Sequence, residues 1–388
     1  MPGDEAARLS FAQASARRLH HHALDEPLSG AAPADVAARM CGAHAQVMSA
    51  AEWSIGLRQA SPDRAAIRAA VLTERSLVKI YGPRGTVHLL PAADLPRWIG
   101  ALAAIPDSYG PIGKYLSPGQ IESVLEAIAV TLATADLTVA ELHEAVVMAC
   151  GEWAGDPVLP GFSGMWARWR TAVSLAVGRG IMCFGAGRGR TVTYTSPASW
   201  LPGFAPAAGP ESVGWLVTEY LAAYGPATPD QFARWLGAPR RWAADMFAEL
   251  APRLQRAEIE GAAAWLPAGT PDRQEPGPPR GVRLLPYFDP YVIGGQPRGL
   301  LFDGEAAGRA LSPRGQAGTF PVLLIDGVVR GIWQQRKSGR KVAITVEPFT
   351  RLTAAHRREL ADQAERLGAF LGCTPGLTLA PVTLRSHL

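Results

Sequence analysis

Two hairpin-like segments constrain the fold of this chain more than any other feature. Residues 77–90 alternate like a pair of β-strands around a Gly-Pro-Arg-Gly turn. Residues 181–184 and 191–194 are two further strand candidates, and they flank a turn rich in glycine and arginine at 185–190. A helical pattern precedes both segments. Helices followed by a hairpin with a basic tip are typical of a winged helix, so the sequence predicts more than one such unit.

The length of 388 residues allows roughly two to four structural units with substantial cores. We predict winged-helix units at 1–100, 101–205 and 206–275, with the candidate catalytic residues in the first. A β-rich unit with a terminal helix follows at 276–388. The predicted fold class is therefore α+β, with tandem winged-helix motifs followed by a small C-terminal β-barrel or sheet.

The second unit carries a clear helix start. Thr138 is an N-cap candidate, and Glu141 three residues later completes a capping box. Another helix is predicted at 166–177, directly before the strand candidates of the second hairpin. Helix and hairpin together favour a winged helix for this unit.

The third unit has the strongest helix signals of the chain. Thr228 can cap a helix whose first position is Pro229, and Gly237 is suited to its end. A second helix is predicted to begin near Pro239. This spacing is typical of a helix-turn-helix.

The pattern of the chain changes after this unit. Residues 266–281 are rich in proline and glycine and are predicted to form a linker. Beyond it, apolar residues recur with a period of two, and Asp326-Gly327 has the composition of a tight hairpin turn. We expect a meander of strands there, closed by a helix at 353–371.

Charge is distributed unevenly, although the net charge is only +4. No acidic residue lies between Asp156 and Glu211, whereas five arginines do. A second acid-free cluster contains Arg330, Arg336, Lys337, Arg340 and Lys341. Such clusters suit contacts with phosphates. Two solvated faces of an arginine-rich protein would give the same pattern, and charge alone does not separate these alternatives.

The remaining composition excludes several classes of protein. The four cysteines are scattered without a Cys-x-x-Cys spacing, which favours free thiols over a disulfide framework or a zinc site. The first residues lack the pattern of a signal peptide, and no apolar run reaches membrane-spanning length. We expect a cytoplasmic protein that needs no metal, no cofactor and no membrane.

A polar pair interrupts the apolar sequence near residue 44. His44 and Gln46 stand among alanine, cysteine, methionine and valine, where a polar side chain needs a partner or a function. A short helix from Pro33 should end at Gly42, which leaves the pair in an extended segment. Positions two apart then share one face, so both side chains should face one cavity. The alternative is a core histidine bonded to a backbone carbonyl and an amide that satisfies a helix end.

With these segments in view, the chain resembles the AlkZ-like family of bacterial DNA glycosylases. The resemblance covers nearly the whole chain and is carried by residues 42–46, 84–89, 224–235 and 284–291. It implies tandem winged helices in a C-shaped body with a β-barrel, and the release of alkylated bases from DNA. Family members remove bulky guanine adducts or cross-links, some as self-resistance against a genotoxin.

The resemblance also assigns the catalytic motif. In the family this motif is glutamine, an apolar residue, and then glutamine or aspartate. The matching positions are His44, Ala45 and Gln46, so the first position departs from the common pattern and the last agrees.

A guanine alkylated on its major-groove ring nitrogen already carries a positive charge and leaves as a neutral base. The enzyme therefore has to position a water and stabilise a cation-like sugar, for which neutral amide and imidazole groups suffice. We hypothesise that Gln46 orients the water and that His44 orients or deprotonates it. No lysine is placed for a Schiff base, which predicts a monofunctional enzyme.

Six residues on the two predicted hairpins are candidates for binding DNA. They are Lys79, Arg84, Thr86 and His88 on the first hairpin, and Arg188 and Arg190 on the second. Thr86 and His88 should share one strand face, which would border the DNA. The alternative is an ordinary exposed hairpin.

Three functions are thus open at this point. The first is a monomeric, monofunctional glycosylase that hydrolyses the N-glycosidic bond of bulky 7-alkylguanine adducts, or cross-links, in duplex DNA, for base excision repair or genotoxin resistance. The second is a winged-helix transcription regulator, which needs no polar pair facing a cavity. The third is a DNA-damage-binding protein without catalytic activity.

Overall fold

Helices and strands are interspersed along the whole chain in the computed structural model, which describes residues 6–106, 112–161, 164–270, 277–384 and 386–387. The helices are Phe11–His21 (α1), Pro33–Arg39 (α2), Met48–Leu57 (α3), Arg64–Leu72 (α4), Leu95–Ala103 (α5), Pro118–Leu132 (α6), Val139–Cys150 (α7), Val173–Gly178 (α8), Pro197–Trp200 (α9), Gly209–Tyr224 (α10), Pro229–Leu236 (α11), Arg240–Leu250 (α12), Pro290–Gly294 (α13), Arg298–Leu301 (α14), Glu305–Arg309 (α15) and Ala354–Leu371 (α16). None of these helices, within the residues described, is long and apolar enough to cross a membrane.

The strands are short in the first two thirds of the chain and longer near its end. They are Ala7–Leu9 (β1), Ala43–His44 (β2), Leu77–Tyr81 (β3), Val87–Pro91 (β4), Leu137–Thr138 (β5), Pro157–Gly161 (β6), Gly164–Ala167 (β7), Cys183–Phe184 (β8), Thr193–Thr195 (β9), Leu254–Ile259 (β10), Ala262–Pro267 (β11), Val282–Leu285 (β12), Val322–Ile325 (β13), Val328–Ser338 (β14), Lys341–Pro348 (β15) and Thr374–Leu379 (β16). The predicted α+β class is confirmed.

Contacts divide the chain into two compact units, each made of separate stretches. The first contains residues 1–68, 217–235 and 247–388, and the second contains 69–216 and 236–246. The predicted division at 1–100, 101–205, 206–275 and 276–388 stays a prediction, because one compact unit can hold more than one winged helix.

The C-terminal part of the first compact unit contains a five-stranded sheet in the order β12-β13-β14-β15-β16. Its strands are antiparallel except for β16, which runs parallel to β15. Helix α16 makes the connection between these two strands, as parallel pairing requires. It also contacts both edge strands, β12 and β16. The predicted small barrel or sheet is therefore an open half-barrel, in which α16 contacts both edge strands.

The tight turn within this sheet and the start of the terminal helix lie where the sequence predicts them. Asp326 and Gly327 have φ angles of 49° and 77°, which a tight hairpin turn with the twist of the strands requires. They join β13 to β14, as predicted. The terminal helix begins after Thr353, whose hydroxyl accepts from the His356 N–H. The linker predicted at 266–281 differs in part from the structure, because β11 extends to Pro267. Residues 271–276 lie outside the described residues.

The predicted helix starts are confirmed. The Thr138 hydroxyl accepts from the Glu141 N–H at 3.2 Å, and the Glu141 carboxylate accepts from the Thr138 N–H at 2.8 Å. Thr228 and Gln231 form the same reciprocal pair before α11. Gly237 follows that helix with a φ of 83°, and α12 begins close to the predicted position.

The predicted helix at 166–177 is wrong over its first half. Strand β7 ends at Ala167, a 3-10 helix covers Arg168–Ala172, and only Val173–Gly178 is α-helical. The cause is tertiary: the Arg168 guanidinium donates to the carbonyls of Trp153 and Tyr115. These bonds hold the start of the segment in a tighter turn.

The second hairpin is confirmed with shorter strands, which are β8 and β9. Strand β5 adds to β9, so the hairpin belongs to a three-stranded sheet in the order β5-β9-β8. The added strand directly precedes α7 and thus connects the sheet to the helix capped by Thr138.

Candidate active site

The motif segment leaves helix α2 through two consecutive residues with left-handed backbones. Cys41 has a φ of 54° and Gly42 a φ of 94°, so the chain turns sharply after the helix. Ala43 and His44 then form β2. The predicted helix end and the extended backbone at His44 are confirmed.

His44 is buried, with 6% of its surface exposed, and its contacts include a ring stack and a backbone N–H. Its imidazole stacks on the ring of Phe288, with centroids 4.5 Å apart and planes 21° apart. The backbone N–H of Gln46 points to Nδ1 at 3.4 Å. A ring nitrogen that accepts a hydrogen bond carries no proton in the neutral imidazole. In the neutral tautomer in which Nδ1 accepts this bond, the proton lies on Nε2, which is then a hydrogen-bond donor.

Gln46 has different surroundings. Its side chain is exposed, and it lies in the bend between β2 and α3. Its carboxamide is thus accessible to solvent or a ligand, two residues after the buried imidazole. That both side chains face one cavity stays a prediction.

Phe288, the ring against His44, has an unusual backbone. Its φ is 56°, a conformation that bulky residues seldom adopt and that needs support from its surroundings. The Phe288 N–H donates to the Gly318 carbonyl at 2.7 Å. Gly318 has no Cβ, and an added one would lie 3.1 Å from the Cα of Phe288. Gly318 also has a φ of 87°, which other residues rarely adopt, so backbone and contact both favour glycine at position 318.

The next residue, Asp289, is fully buried and anchors the segment to α3. Its two carboxylate oxygens accept from the Arg58 guanidinium at 2.8 and 2.9 Å. The Ser54 hydroxyl donates to the same carboxylate at 2.8 Å. Because α3 begins directly after the motif, the pair joins the Phe288 segment to the helix that follows Gln46. Asp289 thus fastens the Phe288 segment to α3 through Arg58 and Ser54.

His22 completes this buried polar cluster. Its Nε2 lies 3.0 Å from the Ala223 carbonyl, and its Nδ1 lies 3.5 Å from the Arg58 guanidinium. The carbonyl needs a donor and the guanidinium needs an acceptor, so the neutral ring satisfies both. Burial, followed by the positive charge of Arg58, holds the pKa of His22 well below its usual value. Burial also lowers the pKa of neighbouring His21, to about 4.

The lowered pKa values of His21 and His22 predict that the free energy of unfolding depends on pH. Their folded pKa values lie below that of an unfolded histidine, so the unfolded chain binds more protons once the pH falls below about 6.5. The free energy of unfolding should therefore be highest above about pH 6.5 and should fall toward about pH 4. For His21 alone the loss is about 2 kcal/mol at about pH 5. Urea unfolding of wild type and His21→Gln at several pH values measures it. An equal slope in both proteins would contradict the assignment to His21.

The structure places the first set of predicted DNA-binding residues on the β3–β4 hairpin of the second unit. Arg84 is exposed at the tip. Lys79 is partly buried, and its ammonium lies 4.9 Å from the centroid of the Phe184 ring. Burial lowers the pKa of Lys79. The Thr86 hydroxyl donates to the Pro83 carbonyl at 3.0 Å. Of these, Arg84 is the side chain most accessible to a phosphate.

His88, which was predicted to lie on a polar strand face bordering the DNA, is buried in the structure, with 5% of its surface exposed. All five residues of β4 are buried, so the strand is covered on both faces. The Nδ1 atom of His88 lies 2.8 Å from the Thr86 carbonyl. The ring also packs on Gly82, where an added Cβ would lie 3.0 Å from Nδ1.

A cavity of about 480 Å³ lies at the tip of this hairpin. Arg84 and Gly85 of the tip contribute to its lining, together with Tyr81 at the end of β3. The Cα of Arg84 also approaches Gly237, where an added Cβ would lie only 3.0 Å away. The backbone of Gly237 thus supports the tip.

The arginines of the acid-free segment are mostly neutralised by carboxylates from elsewhere in the chain. Arg168 pairs with Asp156 at 2.9 Å, Arg179 with Glu122 at 2.7 Å, and Arg188 with Glu141 at 2.6 Å. Arg170 stacks on Trp166. Arg190 is exposed, and no ion pair involves it within the described ranges.

The second basic cluster, in contrast, forms a charged hairpin tip. Arg336, Lys337, Arg340 and Lys341 are all exposed around the turn between β14 and β15. No ion pair of these four exists among the residues that the structure describes. Arg330 lies farther down the strand and pairs with Asp303. We call the four exposed cations the basic tip.

Two histidine segments that resemble metal motifs have other contacts. His20 pairs with Asp25, and the Nδ1 of His143 accepts from the Trp169 indole at 3.1 Å. In the described part of the chain, no group of three or more His, Cys, Asp or Glu side chains is arranged to hold a metal ion.

Comparison with known proteins identifies the class of this chain. The family model described as DNA glycosylase AlkZ-like matches residues 37–370, a range that includes the motif and the basic tip. The chain belongs to the AlkZ-like family and is a DNA glycosylase.

Individual relatives agree with this assignment. The sequence is 31% identical over 343 residues to an interstrand DNA cross-link repair glycosylase of Streptomyces sahachiroi, covering 84% of this chain and 88% of that protein. The solved structure of the Streptomyces sahachiroi DNA glycosylase AlkZ matches with a TM-score of 0.80 and 26% identity, covering 96% of this chain and 100% of that one. The family resemblance derived from the motifs is confirmed.

Proposed function

We propose that this DNA glycosylase hydrolyses the N-glycosidic bond of bulky 7-alkylguanine adducts in duplex DNA. The observation that carries the proposal is a buried His44, fixed by stacking on Phe288, beside an accessible Gln46 at the family's motif positions. The relative named for interstrand cross-link repair extends the proposed substrates to cross-linked guanines. Such an enzyme serves base excision repair or resistance to a genotoxin.

The proposed chemistry follows from the exposure of the Gln46 side chain and from which ring nitrogen of His44 carries the proton. Gln46 is accessible and can orient a water with its carboxamide oxygen. Neutral His44 presents Nε2–H, because its Nδ1 accepts from the Gln46 N–H. It then donates a hydrogen bond rather than removing a proton from water. The glycosidic bond breaks with its electron pair on the leaving neutral base, the water oxygen bonds to the sugar carbon, and the proton of that water passes to solvent. Positioning suffices because the alkylated base is a cation and leaves readily. Residues 40–48 contain no lysine, which supports a monofunctional reaction.

For DNA binding we propose the basic tip, with Arg84 and Arg190, as the phosphate-contacting residues. All of these side chains are exposed, and exposed cations release counterions when they meet phosphates. Lys79, Thr86 and His88 are at least partly buried, and Arg188 pairs with Glu141. We therefore assign these four to support of the hairpins. In the same proposal the helical units are winged helices, and the protein acts as a monomer in the cytoplasm.

Removal of charge from the basic tip should lower the affinity for DNA. It should also make that affinity depend less on the salt concentration. We expect the double variant Arg336→Ser/Arg340→Ser to lower the slope of log K against log salt by about one for each phosphate that the variant no longer neutralises. Fluorescence anisotropy with undamaged duplex over a range of salt concentrations measures this.

The matched control is Arg179→Ser/Arg309→Ser, which removes two exposed arginines that already pair with Glu122 and Glu347. Its salt slope should equal that of wild type. Equal slopes in all three proteins would exclude the basic tip as a phosphate-binding surface.

The proposed function is tested by incubating the protein with two duplexes, one carrying a bulky 7-alkylguanine and one carrying a guanine–guanine cross-link. Abasic sites are cleaved with an apurinic endonuclease, and the released base is identified by mass. Release of the free adduct base confirms the reaction. Tight binding without release would favour the damage-binding alternative, and preference for an undamaged palindrome would favour a regulator.

A further inference from the structure

Three aromatic rings of the first compact unit meet beside the motif, although they come from distant parts of the chain. The His387 imidazole lies 5.3 Å from the Tyr287 ring and 5.5 Å from the Phe288 ring, measured between centroids. Tyr287 and Phe288 are 6.2 Å apart. We call these three side chains the ring surface. Because Phe288 also stacks on His44, the ring surface is continuous with the catalytic motif.

Backbone hydrogen bonds to one loop hold the two sides of the ring surface together. The Phe288 N–H donates to the Gly318 carbonyl at 2.7 Å, and the His387 N–H donates to the Thr319 carbonyl at 3.0 Å. Adjacent residues of the loop therefore position the rings. His387 is placed by a backbone hydrogen bond as well as by ring contacts.

The ring surface is only partly covered. Tyr287 and Phe288 are partly buried, and His387 is exposed. The rings are therefore accessible to a ligand, and Phe288 connects them to His44 of the motif. Open aromatic and imidazole rings bind planar ring systems by stacking, and each such contact contributes measurably to affinity.

We propose that the ring surface binds the planar aromatic part of a bulky guanine adduct, and that His387 and Tyr287 determine specificity for such adducts. The inference rests on the proposed function, since it names the part of the lesion that this surface recognises. His387 is not assigned a catalytic role. It should affect binding of the lesion and leave the chemical step unchanged.

The test compares two lesions with the same leaving base. One duplex carries 7-methylguanine and the other carries guanine with a 2-naphthylmethyl group on the same nitrogen. Single-turnover release is measured at increasing concentrations of wild type, His387→Ala, His387→Phe and His20→Ala. His20→Ala removes another exposed imidazole, one that pairs with Asp25. Thermal unfolding of each variant checks the fold.

For His387→Ala we expect the half-saturating enzyme concentration to rise about tenfold on the naphthyl lesion, with an unchanged maximal rate. On 7-methylguanine it should change less than about twofold. His387→Phe should restore wild-type behaviour because it keeps a ring, and His20→Ala should match wild type. Tyr287→Ala should give the same selective loss as His387→Ala.

If wild type releases neither base, the proposed function fails and the inference with it. If wild type releases both bases and His387→Ala weakens both equally, or neither, the inference alone is overturned. Faster release of the naphthyl base by His387→Ala would also overturn it, because the segment would then obstruct the lesion.

Discussion

Gln46→Ala and His44→Ala are each expected to reduce the maximal rate of single-turnover adduct release by about 10²-fold or more. Gln46 would no longer orient the attacking water, and His44 would no longer donate through Nε2. Because both act on one water, the double variant should lose less than the product of the two single effects. Quantified release of the free base with enzyme in excess measures all three rates.

Ser49→Ala is the matched control, since Ser49 is exposed in the first turn of α3, directly after the motif. It should release the adduct at the wild-type rate. His44→Asn separates the two roles of the imidazole: an amide keeps a donor but is no effective base. A rate close to wild type for His44→Asn would support donation, whereas wild-type rates for both alanine variants would contradict the assignment.

Asp289→Ala is expected to lower the free energy of unfolding by about 3–5 kcal/mol. The change leaves the Arg58 guanidinium buried without its carboxylate, in a site where both side chains are at most 1% exposed. It also removes the acceptor for the Tyr291 N–H at the start of α13. Urea unfolding of the purified protein measures the loss.

Asp303→Ala is the control for this prediction. Asp303 pairs with Arg330, but 44% of its side chain is exposed, so its loss should cost less than about 1 kcal/mol. The double variant Arg58→Met/Asp289→Leu removes both charges and should recover part of the stability. A similar small loss for Asp289→Ala and Asp303→Ala would show that the buried pair does not stabilise the fold.

Short-range signals were sufficient to predict the helix starts and the tight turns. Thr138, Thr228 and Thr353 each cap a helix, because a cap needs only residues within one turn of its own helix. Asp326-Gly327 turns the chain for an equally local reason. The extended conformation of His44 follows from the left-handed residues directly before it.

Charge and burial were harder to predict because they depend on distant residues. The arginines between Asp156 and Glu211 suggested a basic face, but Arg179 and Arg188 pair with carboxylates that precede this segment. His88 alternates with apolar neighbours as an exposed strand residue would, yet β4 is covered on both faces. Residues 166–177 have a helical pattern, but their first half is not α-helical, and the Arg168 side chain there bonds to distant carbonyls.

The amino-acid sequence alone determined the α+β class, the starts of several helices, the tight turn at Asp326-Gly327, the family, and the position of the segment His44–Gln46 that matches the family's motif. Capping, turn chemistry and periodicity act between neighbours, so they can be recognised without a structure. Only the tertiary structure decided that Phe288 stacks on His44, that Asp289 is buried against Arg58, and that His387 joins the ring surface. Those contacts join residues far apart in the chain, and burial sets their strength. Neither property can be recognised from local sequence.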